Sequence, residues 1–266
     1  MNREQLGNMS GSLSEALGLQ RREMISLTGA GGKTTLMFRL AKELSLQGKK
    51  VITTTTTKIL KPNKDEGPHL FVSQDEGKIK EFVSRCLDQY GHITLAKEDI
   101  GGGKLKGISQ EFADILWNLY DMDAFIIEAD GAAGMPVKAP REGEPVIPLK
   151  TTLVMALLGL DGVGRELNDQ NVFQSKRISK LTGISEDEKM TTEGMALLMT
   201  HREGLFKGAP VSSRWVAFLN KVDVPGGIAK AKEIARDIFE KKDVKIERVV
   251  LGELKSETPV VEVIFP

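Results

Sequence analysis

The feature that most constrains this chain is a short β-type run, Met24-Ile25-Ser26-Leu27-Thr28, passing directly into Gly29-Ala30-Gly31-Gly32-Lys33-Thr34-Thr35. From residues 34 to 46 the apolar Leu36, Met37, Leu40, Ala41 and Leu44 then recur at helical spacing, and Gly48 is placed to stop a helix before a second strand over 50–54. A helix N-terminus exposes unpaired backbone N–H groups and a partial positive charge, and glycines just before it let a polyphosphate approach the backbone closely. Lys33 adds an opposite charge, and Thr34 supplies the hydroxyl that in such loops completes a Mg²⁺ shell. The segment is therefore expected to hold the phosphates of ATP or GTP with Mg²⁺, with Gly29, Ala30, Gly31, Gly32, Lys33, Thr34 and Thr35 as ligands. The ordinary alternative is a Gly-rich turn with an exposed lysine. The agreement of glycines, lysine, threonines and both flanking elements speaks against it.

Further strands are expected over 92–96, 124–128, 152–157, 215–219 and 248–251, mostly short apolar runs without alternation, as in strands covered on both faces. Helical patterns stand between several of them, over 109–119 and over 227–239, the latter with Ile228, Ala231, Ile234, Ala235 and Ile238 on one face. A short helix is read over 12–19. Alternating strands and helices imply an α/β fold with a doubly wound, mostly parallel sheet in a three-layer sandwich, like that of P-loop NTPases. A chain of 266 residues is expected to form one domain, 1–266. Gly101-Gly102-Gly103-Lys104 and residues 134–148 read as loops, the second long enough to be functional.

Lys plus Arg and Asp plus Glu both total 37, so no general field draws the chain to nucleic acid or an anionic membrane, and any anion site must be local. The single cysteine, Cys86, lies in a helical pattern and reads as buried filler. His69, His92 and His201 stand far apart without metal-ligand spacing. No run approaches the ~20 apolar residues of a membrane span, so a cytoplasmic location is expected.

Phe125-Ile126-Ile127-Glu128-Ala129-Asp130-Gly131 is an apolar strand ending in acids at what should be the carboxyl edge of the sheet, where open α/β folds bind ligands. Glu128 is the expected metal carboxylate. Asp130 is expected to place the attacking water, and the N–H of Gly131 to sense a γ-phosphate. A strand merely capped by solvated acids is the bland reading. The run Thr53-Thr54-Thr55-Thr56-Thr57-Lys58 begins in a strand and passes its end, so the later hydroxyls, of Thr56 or Thr57, and Lys58 could face phosphate or metal.

Val216-Ala217-Phe218-Leu219 leads into Asn220-Lys221-Val222-Asp223, an Asn-Lys-x-Asp sequence of the kind that reads guanine. An aspartate carboxylate accepts from guanine N1–H and the exocyclic amine, donors that adenine lacks, while the lysine stem lies along the base and the asparagine ties the loop. This favours GTP over ATP. A polar turn leaving a strand is the ordinary explanation of such a tetrapeptide on its own. The phosphate loop has Leu27 where the usual spacing asks for its first glycine, and so looks closer to the form in signal-recognition GTPases and metallochaperone ATPases. The signature lysine of that form is replaced here by Thr28.

Together with the Pro136-Val137-Lys138-Ala139-Pro140 loop and Glu144-Pro145-Val146-Ile147-Pro148, these segments resemble the YqeC family, over nearly the whole chain from about Leu17 onward. The resemblance implies a part in selenium-cofactor biosynthesis or in maturing selenium-dependent molybdenum hydroxylases, with such a hydroxylase or its cofactor as partner. Lys138 and Arg141 are candidates for a second anion contact. The residues themselves point to nucleotide binding with Mg²⁺ and to GTP hydrolysis. A P-loop kinase acting on a small acceptor and a non-catalytic nucleotide-dependent switch or chaperone stay open as alternatives.

Overall fold

The computed structural model describes residues 11–241 and 245–266. Strand β1 (Glu23–Gly29) runs into the Gly-rich turn and α2 (Lys33–Leu46), preceded by the short α1 (Leu13–Ala16). Then follow β2 (Val51–Thr55), β3 (Lys58–Leu60), β4 (Leu70–Val72), α3 (Glu76–Tyr90), β5 (His92–Ala96), β6 (Glu98–Asp99) and β7 (Lys104–Lys106). The second half holds α4 (Gln110–Leu119), β8 (Ala124–Glu128), β9 (Leu153–Gly159), α5 (Ser175–Thr182), α6 (Thr192–Thr200), β10 (Arg214–Asn220), α7 (Gly227–Phe239), β11 (Ile246–Gly252) and β12 (Val260–Ile264).

Among the described residues the main sheet has nine strands, in the order β12-β11-β10-β9-β1-β8-β2-β5-β4. Every described pairing in it is parallel except that of β12 with β11. Residues of β1, β2, β5, β8 and β9 are buried along their full lengths, which explains their apolar runs without alternation. On one face α2 packs Leu36, Met37, Leu40 and Ala41 with Ile25, Leu27, Met155 and Leu157 of the sheet. A second cluster joins α3 and α4 to the β5 side, and a third joins α6 and α7 to the β10 side. The architecture is thus α/β, doubly wound and P-loop NTPase-like. β1 lies between β8, which leads toward β2 and β5, and β9, which leads toward β10 and β11, so the strand order reverses at β1. In such sheets the crevice outside the carboxyl ends at this switch point is where ligands bind.

Several expectations are refined. Residues 12–19 form only one turn of helix, capped by Ser12. Ile228, in the first turn of α7, is 45% exposed, so the buried face is carried by Ala231, Ile234, Ala235 and Ile238. Cys86 is half-buried at the margin of the α3 contact rather than inside it. The Gly101-Gly102-Gly103-Lys104 stretch is not all loop, since Lys104 opens β7 and the glycines turn a hairpin. That hairpin belongs to a separate three-stranded antiparallel sheet, β3-β7-β6.

Candidate functional site

The turn between β1 and α2 is built for close approach. Gly29 and Gly31 have φ of 86° and 78°, and a Cβ on either would fall 2.2 Å from the Leu157 carbonyl oxygen or 2.3 Å from the Gly159 nitrogen. Gly32, at φ 137°, is the residue before α2 and brings no side chain to cap it. α3, α4 and α6, by contrast, are capped by Asp75, Ser109 and Thr191. The first N–H groups of α2 are therefore left without a side-chain acceptor, at the carboxyl edge of the central strand.

Behind this turn lies a buried cluster of charges. Lys33 is 4% exposed; its ammonium donates to the Gly29 carbonyl and stands 3.2 Å from Asp130 Oδ1 and 3.8 Å from Glu128 Oε1. Asp130 has no exposed surface, and its Oδ2 accepts from the Gly29 N–H at 3.1 Å and from Lys138 Nζ at 2.9 Å. Lys138, equally buried, also donates to Glu144 Oε2 at 2.9 Å and to the Gly131 carbonyl at 2.7 Å. Burial alone would lower the Lys33 ammonium, but the carboxylates of Asp130 and Glu128 outweigh it and hold the group above the ordinary lysine value. Burial raises the Glu128 carboxyl, against the opposing pull of Lys33 and of the Thr34 hydroxyl.

Thr34 Oγ1 donates to Glu128 Oε2 at 2.7 Å. A threonine hydroxyl and one carboxylate, facing a cleft, form an oxygen-only donor pair of the type Mg²⁺ takes alongside phosphate oxygens and water. The charges agree: among the described residues the carboxylates of Glu128, Asp130 and Glu144 form ion pairs only with the ammonium groups of Lys33 and Lys138, so the cluster carries an excess of negative charge that a divalent cation would offset. Among the described residues, no group of three or more His, Cys, Asp or Glu side chains forms a closed metal site.

The cleft above the turn encloses about 1410 Å³ and is lined by Gly31, Gly32, Lys33, Thr34, Thr35, Glu128 and Gly131, and at another rim by Asn220, Lys221 and Asp223. Asn220 ties these rims together. Its Nδ2 donates to the Gly31 carbonyl at 2.6 Å and its Oδ1 accepts from the Leu254 N–H at 3.0 Å. Lys221, at φ 66°, lines the cleft and turns its ammonium onto Asp161 at 2.7 Å. Asp223 is exposed beside it.

The expected residues divide into those that line the cleft and those behind it. Gly29 and Ala30 lie under the turn: Gly29 offers its carbonyl to Lys33, and the Ala30 N–H donates to Leu157. Asp130 does not face the cleft. It is held between Lys33, Lys138 and the Gly29 N–H with no exposed surface, so it is placed to position those groups rather than a water in the cleft. Lys138 is likewise engaged by carboxylates, so of the two basic residues considered for an anion contact only Arg141, exposed and lining the cleft, is available. Thr28 is buried within β1 opposite Ala156, not on the turn. Of the threonine run, Thr53, Thr54 and Thr55 are buried in β2, while Thr56 and Thr57 line the cleft with Lys58. Thr56 Oγ1 donates to the Val146 carbonyl at 2.7 Å, which fixes the long loop against the strand end.

Other cleft residues escaped the sequence reading. Glu253, Leu254 and Lys255 follow β11 and line the cleft with Asp223, Lys104 and Lys106 come from the small sheet, and Lys97 joins β5 to it. The first group carries no motif; only the register that sets Asn220 opposite Gly252 brings it to the site.

The family model described as YqeC protein matches residues 25–176. The curated protein YqeC of Escherichia coli (strain K12), described as uncharacterized, is 32% identical over 245 residues, 90% of this chain and 91% of its own length. Among solved structures, chloroplast FtsY from Physcomitrella patens aligns over 92% of this chain at 13% identity, with a TM-score of 0.42. Signal recognition particle 54 kDa protein from Aeropyrum pernix K1 in complex with GDP aligns over 91% at 15% identity, with a TM-score of 0.38. The chain spans 63% and 44% of those two structures, less than two thirds of each. No helix among the described residues is long and apolar enough to cross a membrane. With a family model covering more than half of its length and a relative matched almost end to end, this chain belongs to the YqeC family.

Proposed function

We propose that this protein binds a nucleoside triphosphate with Mg²⁺, GTP in preference to ATP, and hydrolyses it. One observation carries the reading. Asn220 of the Asn-Lys-x-Asp loop is hydrogen-bonded to the phosphate turn itself, so the guanine-type loop and the phosphate-type loop are two rims of one cleft. Phosphates would rest on the uncapped start of α2 and on Lys33, and the base on the Lys221 stem with Asp223 accepting from it. Thr34 and Glu128 would hold Mg²⁺, which when bound offsets charge on the transferring phosphoryl group.

Lys33 is the residue that changes partners. Its ammonium rests on Asp130, Glu128 and the Gly29 carbonyl, and a polyphosphate at the turn would compete with them for it. Asp130 acts as a positioning residue, holding Lys138 and the Gly29 N–H while its charge keeps Lys33 an ammonium, in a site where preorganised charge supplies most of the catalysis. We place this activity in selenium cofactor biosynthesis or in the maturation of selenium-dependent molybdenum hydroxylases, as the resemblance to the family implies. A second reading, phosphoryl transfer to an acceptor, is favoured by the cleft itself, because 1410 Å³ exceeds the roughly 300–1,000 Å³ of a site for one small ligand.

Calorimetric titration with non-hydrolysable GTP and ATP analogues in Mg²⁺ tests the proposal, with Lys33→Ala and Asp223→Ala measured beside the unmodified chain. GTP should bind preferentially, Lys33→Ala should abolish binding while the variant still melts cooperatively, and Asp223→Ala should erase the base preference. Failure of the unmodified chain to bind either nucleotide would sink the reading.

A further inference from the structure

The small sheet β3-β7-β6 takes no part in the nucleotide site described above, yet it lines the same cleft. β3 and β7 alternate: Ile59 and Leu105 are buried in the core, whereas Lys58, Leu60, Lys104 and Lys106 stay exposed, and of these six residues all but Leu105 line the cleft. Register sets Lys58 directly opposite Lys106 and Leu60 opposite Lys104. Like charges directly across an antiparallel pair repel and destabilise it.

Lysine pairs on an edge sheet are usually relieved by carboxylates. Here Lys61, next along the chain, is paired with Asp99 at 3.1 Å. Lys58, Lys97, Lys104 and Lys106 enter no ion pair among the described residues, although Glu98 stands opposite Lys106 and Glu111 lines the same cleft. Arg141 adds a further cation, its guanidinium lying 4.5 Å from the centre of the Phe173 ring. These groups share one concavity with the phosphate turn.

We propose that the lysine face of this sheet is a second ligand subsite, taking a small molecule with two or more phosphate charges beside the nucleotide. Lys58, Lys104 and Lys106 would bind its charges by charge-assisted hydrogen bonds, and Leu60 and Phe173 would contact its body. A small molecule is favoured over a nucleic acid because the unpaired cations face into a cleft, and the chain as a whole carries no net charge to draw a long polyanion across its surface. The nucleotide reading enters this assignment only for what lies next to the subsite.

The test is calorimetric titration of fructose 1,6-bisphosphate into the full chain saturated with a non-hydrolysable GTP analogue and Mg²⁺. One equivalent should bind. Combining Lys58→Ala, Lys104→Ala and Lys106→Ala should weaken it by about tenfold or more while changing analogue affinity less than about twofold. The triple variant should still melt cooperatively, since all three side chains are exposed. Arginine at the same positions should restore binding. No binding to the unmodified chain, or equal binding by the triple variant, overturns the assignment. Tighter binding of a single-stranded oligonucleotide to the same lysines overturns it in favour of nucleic acid. The same titration into Lys33→Ala without nucleotide separates the two readings: bisphosphate binding there, lost with the lysines, upholds the subsite even if no nucleotide binds.

Discussion

Asn220, at the end of β10, donates its side-chain amide to the carbonyl of Gly31 in the phosphate turn at 2.6 Å, across 189 positions of sequence. Its carbonyl oxygen meanwhile accepts from the Leu254 N–H at 3.0 Å, so one buried side chain holds three loops at the edge of one cleft. Asn220→Ala would leave both backbone groups without that partner. The expected cost is about 1–3 kcal/mol in urea unfolding, with weaker binding of GTP and ATP alike. This separates Asn220 from Asp223, whose replacement should alter base preference with little change in stability, because Asp223 is exposed.

The buried pairing of Lys138 with Asp130 and Glu144 yields a second prediction. Removing one partner from a buried ion pair leaves an uncompensated charge, whereas removing both together costs much less. Lys138→Met should therefore destabilise the protein by roughly 3–5 kcal/mol, and the added changes Asp130→Asn and Glu144→Gln should recover part of that loss. Denaturant midpoints of the single and combined variants measure it. Equal or greater destabilisation in the combined variant would show that the charges are not coupled as their distances imply.

Gly31→Ala should be worse than an ordinary glycine replacement. The new Cβ would lie 2.3 Å from the Gly159 nitrogen and 2.6 Å from its Cα, both backbone atoms, so the turn must shift away from β9. Nucleotide affinity should fall by an order of magnitude or more while the variant remains folded, since close backbone approach is what the turn supplies. Gly48→Ala, where a Cβ would meet nothing within 4 Å, is the control: φ is positive there too, at 77°, but the position is remote from the cleft.

These relationships differ in how far they could be read from the chain. The β1–turn–α2 unit was legible because its apolar spacing, glycines and lysine agree locally, and the strands ending in Glu128 and Asn220 were legible as apolar runs closed by polar motifs. The β3-β7-β6 sheet was not, since Lys58-Ile59-Leu60 and Lys104-Leu105-Lys106 are too short for an alternating period to be counted. α6 hid for another reason. Met195, Ala196, Leu198 and Met199 are all buried, and such a helix has little polar stripe to reveal its period. The inward placement of Asp130 and Lys138 depends on the long loop folding back beneath the turn, a lateral fact that no local pattern encodes.

His92 offers a test of the fold by titration. It opens β5 at 5% exposure, with its Nε2 3.0 Å from Thr53 Oγ1 and its ring 6.5 Å from that of Phe38. Burial, aided by the charge of His69, pushes its pKa down from 6.5 to about 4. Protons therefore bind the unfolded chain first as pH falls. The stability due to a neutral His92 is complete above pH 6.5, is lost progressively down to about pH 4, and amounts to roughly 3 kcal/mol at 1.36 kcal/mol per pK unit. Glu128, whose carboxyl is raised by burial, works the other way over the acid range, so the comparison must be between variants rather than between pH values alone. Urea unfolding of the unmodified chain and of His92→Gln at pH 7 and pH 4.5 should show a smaller acid loss in the variant, and proton NMR should find the His92 ring still neutral at pH 5.5. A His92 resonance titrating near 6.5 would place the ring in water, contrary to its packing between β2 and α2.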